Sequence, residues 1–563
     1  MKSHKFFCRN IMVVCLLLVL FSCSNKAGKP DTYAETPEEL QDKTTSSIER
    51  LIESSLTDTT GAIDSVVKIY QPAAIKEFYS KYDYAPLWST KGQWQPAGDS
   101  LAAFIRSSRL YGLFPDDYHD TSIHNIRQQF AADSINKGVR KDAALWAKAD
   151  IMLTDAFLRI VRDIKLGRLP KDSITQRSDT DVSVSFVQKQ YDTASSAGSV
   201  KKVLEALEPS HPGYSLLKQG IPKFLADFDT TRFTVVPSRK DMESFRQALQ
   251  KRLYEGGYLD SANIPADSAH LADAVKKFQK EKNITVDGKA GEGTIRMLNS
   301  SDKDKFVRIA LSLDKYKHLP GKLPGKFIWV NAASNTLYVY ENGDIKFSSK
   351  VITGKPLTRT PLLNSQISEI ITYPQWLPPA SIITKEILPA VKKNPGYLSK
   401  RGFSLVDSKG EEVDPFTVDW SKYSKSIPFR VVQGSGDANA LGIIKFVFAN
   451  KYAVYLHDTN QRYLFGNAYR SLSHGCVRVQ EWRRLANYIL RNDSLVSGGR
   501  NYTKIDSLNK WLTVKKKMSI PVRNKIPVYI RYITCDGGPG GINFYDDVYT
   551  EDKKLREKYF AGK

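Results

Sequence analysis

The repeat of apolar positions changes period several times along this chain, and each change marks a predicted element. Between residues 63 and 232 the spacing is helical. Ala144, Ala147, Ile151, Thr154 and Leu158 mark one face of a long helix running to about Lys165, and Val203, Leu204 and Leu207 mark another. Two aromatic stretches, Phe78–Trp88 and Gly112–Tyr118, interrupt the helical pattern. From about Asp241 to Asn299, Phe245, Leu249 and Leu253 share one helix that Gly256-Gly257 would end. Leu271, Val275 and Phe278 mark a second helix, and Thr294 to Leu298 a third. A further helix opens at Asp302, after which the period falls to two. Phe327–Val330, Thr336–Tyr340 and Ile345–Val351 read as strands, with Asn342-Gly343 a hairpin turn between the last two. Ile382 to Lys393 is helical again, and the sheet is expected to resume at about Arg430. Ile443–Phe448 and Tyr452–Leu456 read as a hairpin, Gln480–Leu490 as a helix and Pro527–Thr534 as a strand.

Composition adds scale and setting. At 563 residues the chain suggests three or four domains, and with 11% aromatic residues it is folded material. Lys2, Lys5 and Arg9 followed by the apolar run Ile11 to Phe21 predict a secretory leader over residues 1–22, too short to span a membrane. Leu20-Phe-Ser-Cys23 resembles the lipobox of bacterial lipoproteins, which implies cleavage before Cys23, acylation of its thiol and membrane attachment through lipid. Ser24, in place of Asp, points by analogy to the outer membrane, facing the periplasm. Residues 23–60 read as a linker with a short helix near Pro37 to Ile52. As a flexible coil of about 40 residues it would reach roughly 35 Å. The formal charge is +23. Such a surplus suits an acidic wall polymer or anionic lipid, and a lipoprotein does not meet nucleic acid. Cys8 and Cys15 leave with the leader, so only Cys476 and Cys535 remain, and no disulfide framework is indicated. Cys535 reads as a packed strand residue.

The chemistry concentrates in Tyr455-Leu-His-Asp-Thr459 and Ser473-His-Gly-Cys-Val-Arg478. A cysteine attacks as a thiolate and so needs a base and an electropositive setting. His457 at a strand end, His474 and Arg478 supply candidates, and Gly475 allows a sharp turn with amide N–H groups open to a substrate carbonyl. The pattern places Cys476 on a loop between a strand and a helix. Neither a zinc-ligand cluster nor a phosphate-cradling glycine loop is present, so no cofactor is expected.

This composite resembles the active-site signature of the L,D-transpeptidases, the YkuD-type cysteine enzymes of peptidoglycan. The resemblance extends from about residue 75 to 550. Phe78–Trp88, Gly112–Tyr118, Leu153–Phe157 and His211–Tyr214 resemble the helical scaffold of the large members, and Ala274–Gln279 with Val286–Gly291 resembles a three-helix peptidoglycan-binding module. Thr353–Pro356 and Arg359–Pro361 resemble the family's early strand and turn. The implied fold is multidomain α+β: a helical scaffold domain at 61–235, a peptidoglycan-binding-like domain at 241–300, and a β-rich catalytic domain at 301–563 with an inserted cap at 375–429. Tyr373-Pro-Gln-Trp376 departs from the Asn-Pro-x-Trp segment frequent in the family.

The resemblance implies that Cys476 attacks a donor stem tetrapeptide, with His457 as general base and later acid. In relatives the orienting group is often the backbone carbonyl after that histidine, here Asp458. His474 would shape the acceptor path, and amides near Gly475 and Cys476 would receive the oxyanion. Arg478 would hold a substrate carboxylate, with Ser473, Trp376 and Tyr455 completing the substrate-binding set. Stem peptides and glycan are the expected partners. Water as acceptor would make a carboxypeptidase, a lysine of an envelope protein an anchoring enzyme, and an idle site a wall-binding tether.

Overall fold

The structure is a computed structural model that describes every residue except 1–31, 59, 66, 136–139, 178–181, 262–263, 283–285, 497, 499 and 501. The expected leader, Cys8, Cys15 and Cys23 lie outside the described residues. Among the described residues no helix is long and apolar enough to cross a membrane.

The chain divides into two compact units, the first comprising the described residues within 32–108, 114–162 and 182–207. Its main helices are α1 (Pro37–Thr57), α2 (Pro72–Ser80), α3 (Pro96–Arg106), α4 (Asp120–Ile135), α5 (Ala143–Lys165) and α6 (Val184–Ala197). Proline opens α1, α2 and α3, where the missing N–H is no loss, and the Thr36 hydroxyl caps α1 by accepting from Glu39 N. Ala147, Ile151 and Thr154 of α5 are buried as predicted, but so are Ala149, Met152 and Phe157, because the helix is enclosed on nearly every side. Asp150 is buried with it. Its carboxylate accepts from Leu87 N and Trp88 N, both at 2.9 Å, and from the Tyr79 hydroxyl at 2.6 Å, while Trp88 Nε1 donates to Thr154 Oγ1 at 2.9 Å. Burial pushes Asp150 up to about 6 against the pull of these donors. This buried network makes the aromatic stretch around Phe78–Trp88 architectural.

The stretch read as linker departs from expectation. Tyr33–Ala34 pairs with Lys141–Asp142, and α1 buries Leu40, Ile48 and Ile52. The remaining buried positions of α1 are Thr44, Ser47 and Ser55, so its packed face carries too few apolar residues to read as one from the sequence.

The second unit comprises residues 109–113, 163–179 and 208–563. It begins with α7 (Pro212–Ala226), then a module of α8 (Met242–Glu255), α9 (Ser268–Glu281) and α10 (Glu292–Leu298), then α11 (Asp302–Tyr316). Phe245, Leu249, Leu253, Val275, Phe278 and Leu298 form the module's core, Leu271 packs at its margin, and Gly256 ends α8. Gln279 Nε2 ties α9 to Asp287 and Thr294. A cleft of about 910 Å³ borders the module, lined in part by Phe233, Arg252, Tyr258 and the 540–545 turn.

Strands β1 (Lys326–Asn331), β2 (Thr336–Glu341), β3 (Asp344–Gly354) and β4 (Leu363–Thr372) follow. Asn342 and Gly343 both have positive φ, 54° and 91°, as the predicted tight hairpin requires. An insertion then holds α12 (Leu388–Lys393), β5 (Phe403–Val406), β6 (Glu412–Val413) and β7 (Arg430–Gln433). The chain continues with β8 (Ile444–Phe448), β9 (Leu456–His457), β10 (Ser471–Ser473), β11 (Val477–Val479), α13 (Trp482–Val496), α14 (Ile505–Thr513), β12 (Met518–Pro521), β13 (Pro527–Arg531), β14 (Cys535–Gly538), β15 (Gly541–Phe544) and α15 (Glu551–Tyr559).

The main sheet is 10-stranded, ordered β8-β9-β11-β3-β2-β1-β13-β4-β12 with β10 beside β3; a further β8–β4 ladder returns it on itself. Strand β1 shows why its sequence is apolar throughout. Ile328 and Val330 enter the core that includes Leu456, Val477, Val479 and the α13 residues Leu485, Ala486 and Ile489. Phe327 and Trp329 pack on the opposite side with Tyr214 and Leu217 of α7 and Ile309 and Leu313 of α11.

Two expectations for this unit are corrected. Strand β4 is not apparent in the sequence, because its buried apolar residues Leu363, Ile367 and Ile370 are spaced like a helix face; the β8–β4 register shifts at Val447/Phe448 to accommodate them. Arg430–Gln433 does not resume the main sheet. It pairs with β5 inside the insertion, which has its own core of Ile387, Leu388, Val391, Leu398, Leu405, Trp420 and Val431.

Candidate active site

Three adjacent strands set the site. Strand β9 runs antiparallel to β8 and parallel to β11, and the register opposes Lys445 to His457 and His457 to Arg478. Alternate residues of a strand face the same side, so Tyr455 and Cys476, each two positions earlier, share that side. Phe446, Leu456 and Val477, of opposite parity, are buried in the sheet's core. Lys445, Tyr455, His457, Cys476 and Arg478 thus form one polar surface. Cys476 is not between a strand and a helix as expected; it lies between β10 and β11, and α13 follows only after β11.

The turn carrying the sulfur is held from several sides. Gly475 has φ +122°, a backbone state that favours glycine. Ser473 Oγ accepts from Gly475 N at 3.1 Å and donates to Cys476 O at 2.6 Å. The 354–360 turn grips the same residues: Thr360 Oγ1 donates to Gly475 O at 2.8 Å, Thr358 Oγ1 to Ser473 O at 3.0 Å and Lys355 N to Ser473 O at 2.9 Å. The Gly475 N–H is therefore occupied by Ser473. His474 is exposed, and its Nε2 bonds Glu386 Oε1 of the insertion.

Electrostatics at the site follow from burial and two nearby cations. The His457 imidazole is 4% exposed, and burial, then the charge of Arg478, push it down to about 3, with Lys445 adding to the effect. The backbone carbonyls of Asp458 and Leu441 act the other way, favouring a protonated ring. Burial raises the Cys476 thiol above its ordinary range, opposed by the amide and hydroxyl of Tyr455 and by the charges of Lys445 and Arg478. No hydrogen bond joins thiol and imidazole. Cys476 Sγ contacts Ala453 O at 3.9 Å, and His457 Nδ1 is buried without a hydrogen-bond partner. Burial thus favours the uncharged form of both the thiol and the imidazole.

The surrounding residues fix these groups. The Asp458 carboxylate is turned to Arg462, with Nε at 3.0 Å, and to Ile443 N at 3.1 Å, so only its backbone addresses the imidazole. Gly442 makes this approach possible, since a Cβ there would lie 2.3 Å from Asp458 Oδ2. Arg478 Nη1 donates to Gln461 Oε1 at 2.9 Å. Trp376 pairs by backbone with Gln433 at the base of the insertion, and its indole acts on the Tyr455 hydroxyl. Sequence reasoning missed Lys445, Glu386, Thr358 and Thr360. The polar break in Ile443-Ile-Lys-Phe-Val-Phe448 could have drawn notice to Lys445; nothing local marks the others.

Comparison with known proteins matches three family models. Residues 73–221 match "Scaffold domain", residues 243–298 "Putative peptidoglycan binding domain", and residues 325–505 "L,D-transpeptidase catalytic domain", the YkuD family. A Haemophilus influenzae protein (strain Rd) named "Putative L,D-transpeptidase" is 34% identical over 256 residues, which is 46% of this chain and 50% of the relative. The chain therefore matches about half the length of that curated relative. A solved structure titled "Structure of the Ldtfm-avibactam carbamoyl enzyme" is 10% identical, covering 37% of this chain and 49% of that one, with a TM-score of 0.16, too slight a likeness to carry an argument. The chain thus carries a YkuD L,D-transpeptidase catalytic domain on one polypeptide with a scaffold domain and a peptidoglycan-binding domain.

Proposed function

We propose that this protein is a peptidoglycan L,D-transpeptidase that joins stem peptides by 3→3 cross-links. The reading is supported above all by the strand register that gathers Cys476, His457, Tyr455 and Arg478 on one side of the sheet. The Cys476 thiol gives its proton to His457, and the sulfur adds to the carbonyl carbon of residue three in a donor tetrapeptide. The bond to D-Ala breaks, D-Ala leaves with that proton, and a thioester remains. The side-chain amine of a second stem then attacks the thioester carbonyl, and the thiol re-forms with the proton the amine loses. With the Gly475 amide occupied, the Cys476 N–H serves as a donor to the oxyanion.

Arg478 holds a substrate carboxylate. Ser473, Tyr455 and Trp376 border the acyl chain, and His474 lies toward the acceptor. The insertion caps the site, and the three-helix module keeps the enzyme on the wall. Lipid on Cys23 holds the protein on the periplasmic side of the envelope, at the outer membrane. Carbapenems, which acylate such thiols, are inhibitors in this reading.

Muropeptide analysis of sacculi treated with wild-type and Cys476→Ala protein tests the proposal. Dimers with 3→3 links formed only by wild type are expected. Tripeptides alone would replace this reading with a carboxypeptidase, coupling of an envelope protein's lysine to the stem would make it an anchoring enzyme, and identical products from both proteins would leave a wall-binding tether.

A further inference from the structure

Lys445 has no part in the steps above, yet it lies in the middle of the surface that carries them. It is the in-register neighbour of His457, and its Nζ stands 3.9 Å from the centroid of the Tyr455 ring. The same tyrosine interacts through its amide and hydroxyl with the Cys476 sulfur. A half-buried ammonium ordinarily has a carboxylate partner. Among the described residues no carboxylate lies within ion-pair range of Lys445, and Glu369, the acid whose charge reaches it, bonds the Ser519 hydroxyl. The charged and titratable groups facing Lys445 are therefore Tyr455, His457, Cys476 and Glu369, with Arg478 beyond His457 on β11.

We propose that Lys445 is a positioning residue of this site, its ammonium seated on the Tyr455 ring so that it stabilises the anionic sulfur of Cys476 and disfavours a protonated His457. The inference rests on the reading of Cys476 as the nucleophile. A cation on the ring face is attracted by the π-system and polarises the phenol, strengthening its O–H as a donor to sulfur. The same positive charge repels an imidazolium in the next strand. One charge thus lowers the cost of the thiolate and makes protonated His457 a stronger acid, which hands its proton on to the departing amine.

The test is the pH dependence of Cys476 alkylation by iodoacetamide in the full chain, with Cys476→Ala protein as the background for buried Cys535. In Lys445→Met protein the thiol midpoint is expected to rise by about one unit, and alkylation at pH 7.5 to slow about tenfold. Lys445→Arg should return the midpoint close to the wild-type value, and Lys445→Glu should raise it beyond that of the Met variant. The His457 ring, followed by NMR, should also titrate higher in the Met variant, a shift that lost packing alone would not produce together with rescue by arginine. If the Met variant does not fold, Lys445→Gln takes its place. A folded Met or Gln variant with an unchanged alkylation profile, or an Arg variant that fails to restore it, would overturn the proposal. Because alkylation needs no wall substrate, the result stands apart from whether the protein cross-links stems.

Discussion

Replacing His457 by alanine is expected to slow D-Ala release from a donor tetrapeptide by roughly 10²- to 10⁴-fold, the range for a lost general base. The fold should survive, because strand β9 is held by its backbone ladders to β8 and β11, while the ring faces only the backbone carbonyls of Asp458 and Leu441. The pH dependence carries more information than the loss itself. Burial holds the imidazole near 3 and raises the thiol, so through pH 6 to 8 the free enzyme contains neutral His457 and protonated Cys476. In wild type, kcat/KM should therefore stay level across that interval, because thiol and imidazole together already hold the one proton that passes between them, and it should fall only at low pH, where the imidazole takes up a second proton. A profile that instead climbed about tenfold per pH unit from pH 6 to 8 would mean that the thiol loses its proton to solvent and not to His457, and would sink this assignment. A His457→Ala protein retaining more than a tenth of wild-type turnover would remove the histidine from the mechanism.

Gly354→Ala is expected to have the next largest effect, although the residue touches neither thiol nor imidazole. A Cβ at Gly354 would stand 2.0 Å from Thr358 O, 2.6 Å from Thr360 N and 2.8 Å from Arg359 C, all backbone atoms that no rotamer change can move aside. The 354–360 turn must shift, and with it the hydroxyls of Thr358 and Thr360 that hold Ser473 and Gly475. Overpacking of this kind costs about 1 to 3 kcal/mol. Moving a nucleophile by about 1 Å can cost on the order of 10² in rate. Thermal denaturation and donor turnover should both fall. Gly434→Ala is the control, since a Cβ there meets nothing within 4 Å. Turnover of Gly354→Ala protein within twofold of wild type would show that this turn does not set the sulfur's position.

What could be read in advance followed the strength of local patterning. The three helices of the 241–300 module, the Asn342-Gly343 hairpin and the five buried apolar positions of α13, Trp482, Leu485, Ala486, Ile489 and Leu490, are all legible, because in each the local spacing agrees with the element formed. Strand β4 was not, since its inward residues follow a helical interval across a register shift. Helix α1 is legible as a short helix near Pro37 to Ile52, but its packing is not, because half its buried face is Ser and Thr. The candidate site was legible where chemistry and motif coincide, at Cys476, His457 and Arg478. Its remaining parts depend on contacts distant in sequence. Thr360 meets Gly475 across 115 positions and Glu386 meets His474 across 88, and no local pattern announces such pairs. Lys445 falls between these cases: its parity with His457 is written in the hairpin, but its seat on Tyr455 is not.

The account depends on the Cys476 sulfur being an open nucleophile, and intact-protein mass spectrometry after incubation with a carbapenem, followed by peptide mapping, tests this most directly. Wild type should gain the mass of one carbapenem, carried on the peptide containing Cys476, and Cys476→Ala protein should gain none. Buried Cys535, whose thiol is pushed up to about 12 and bonds Ser312 Oγ at 3.1 Å, should stay unmodified in both. Wild-type protein that remains unmodified, or that carries its adduct on Cys535, would contradict the account.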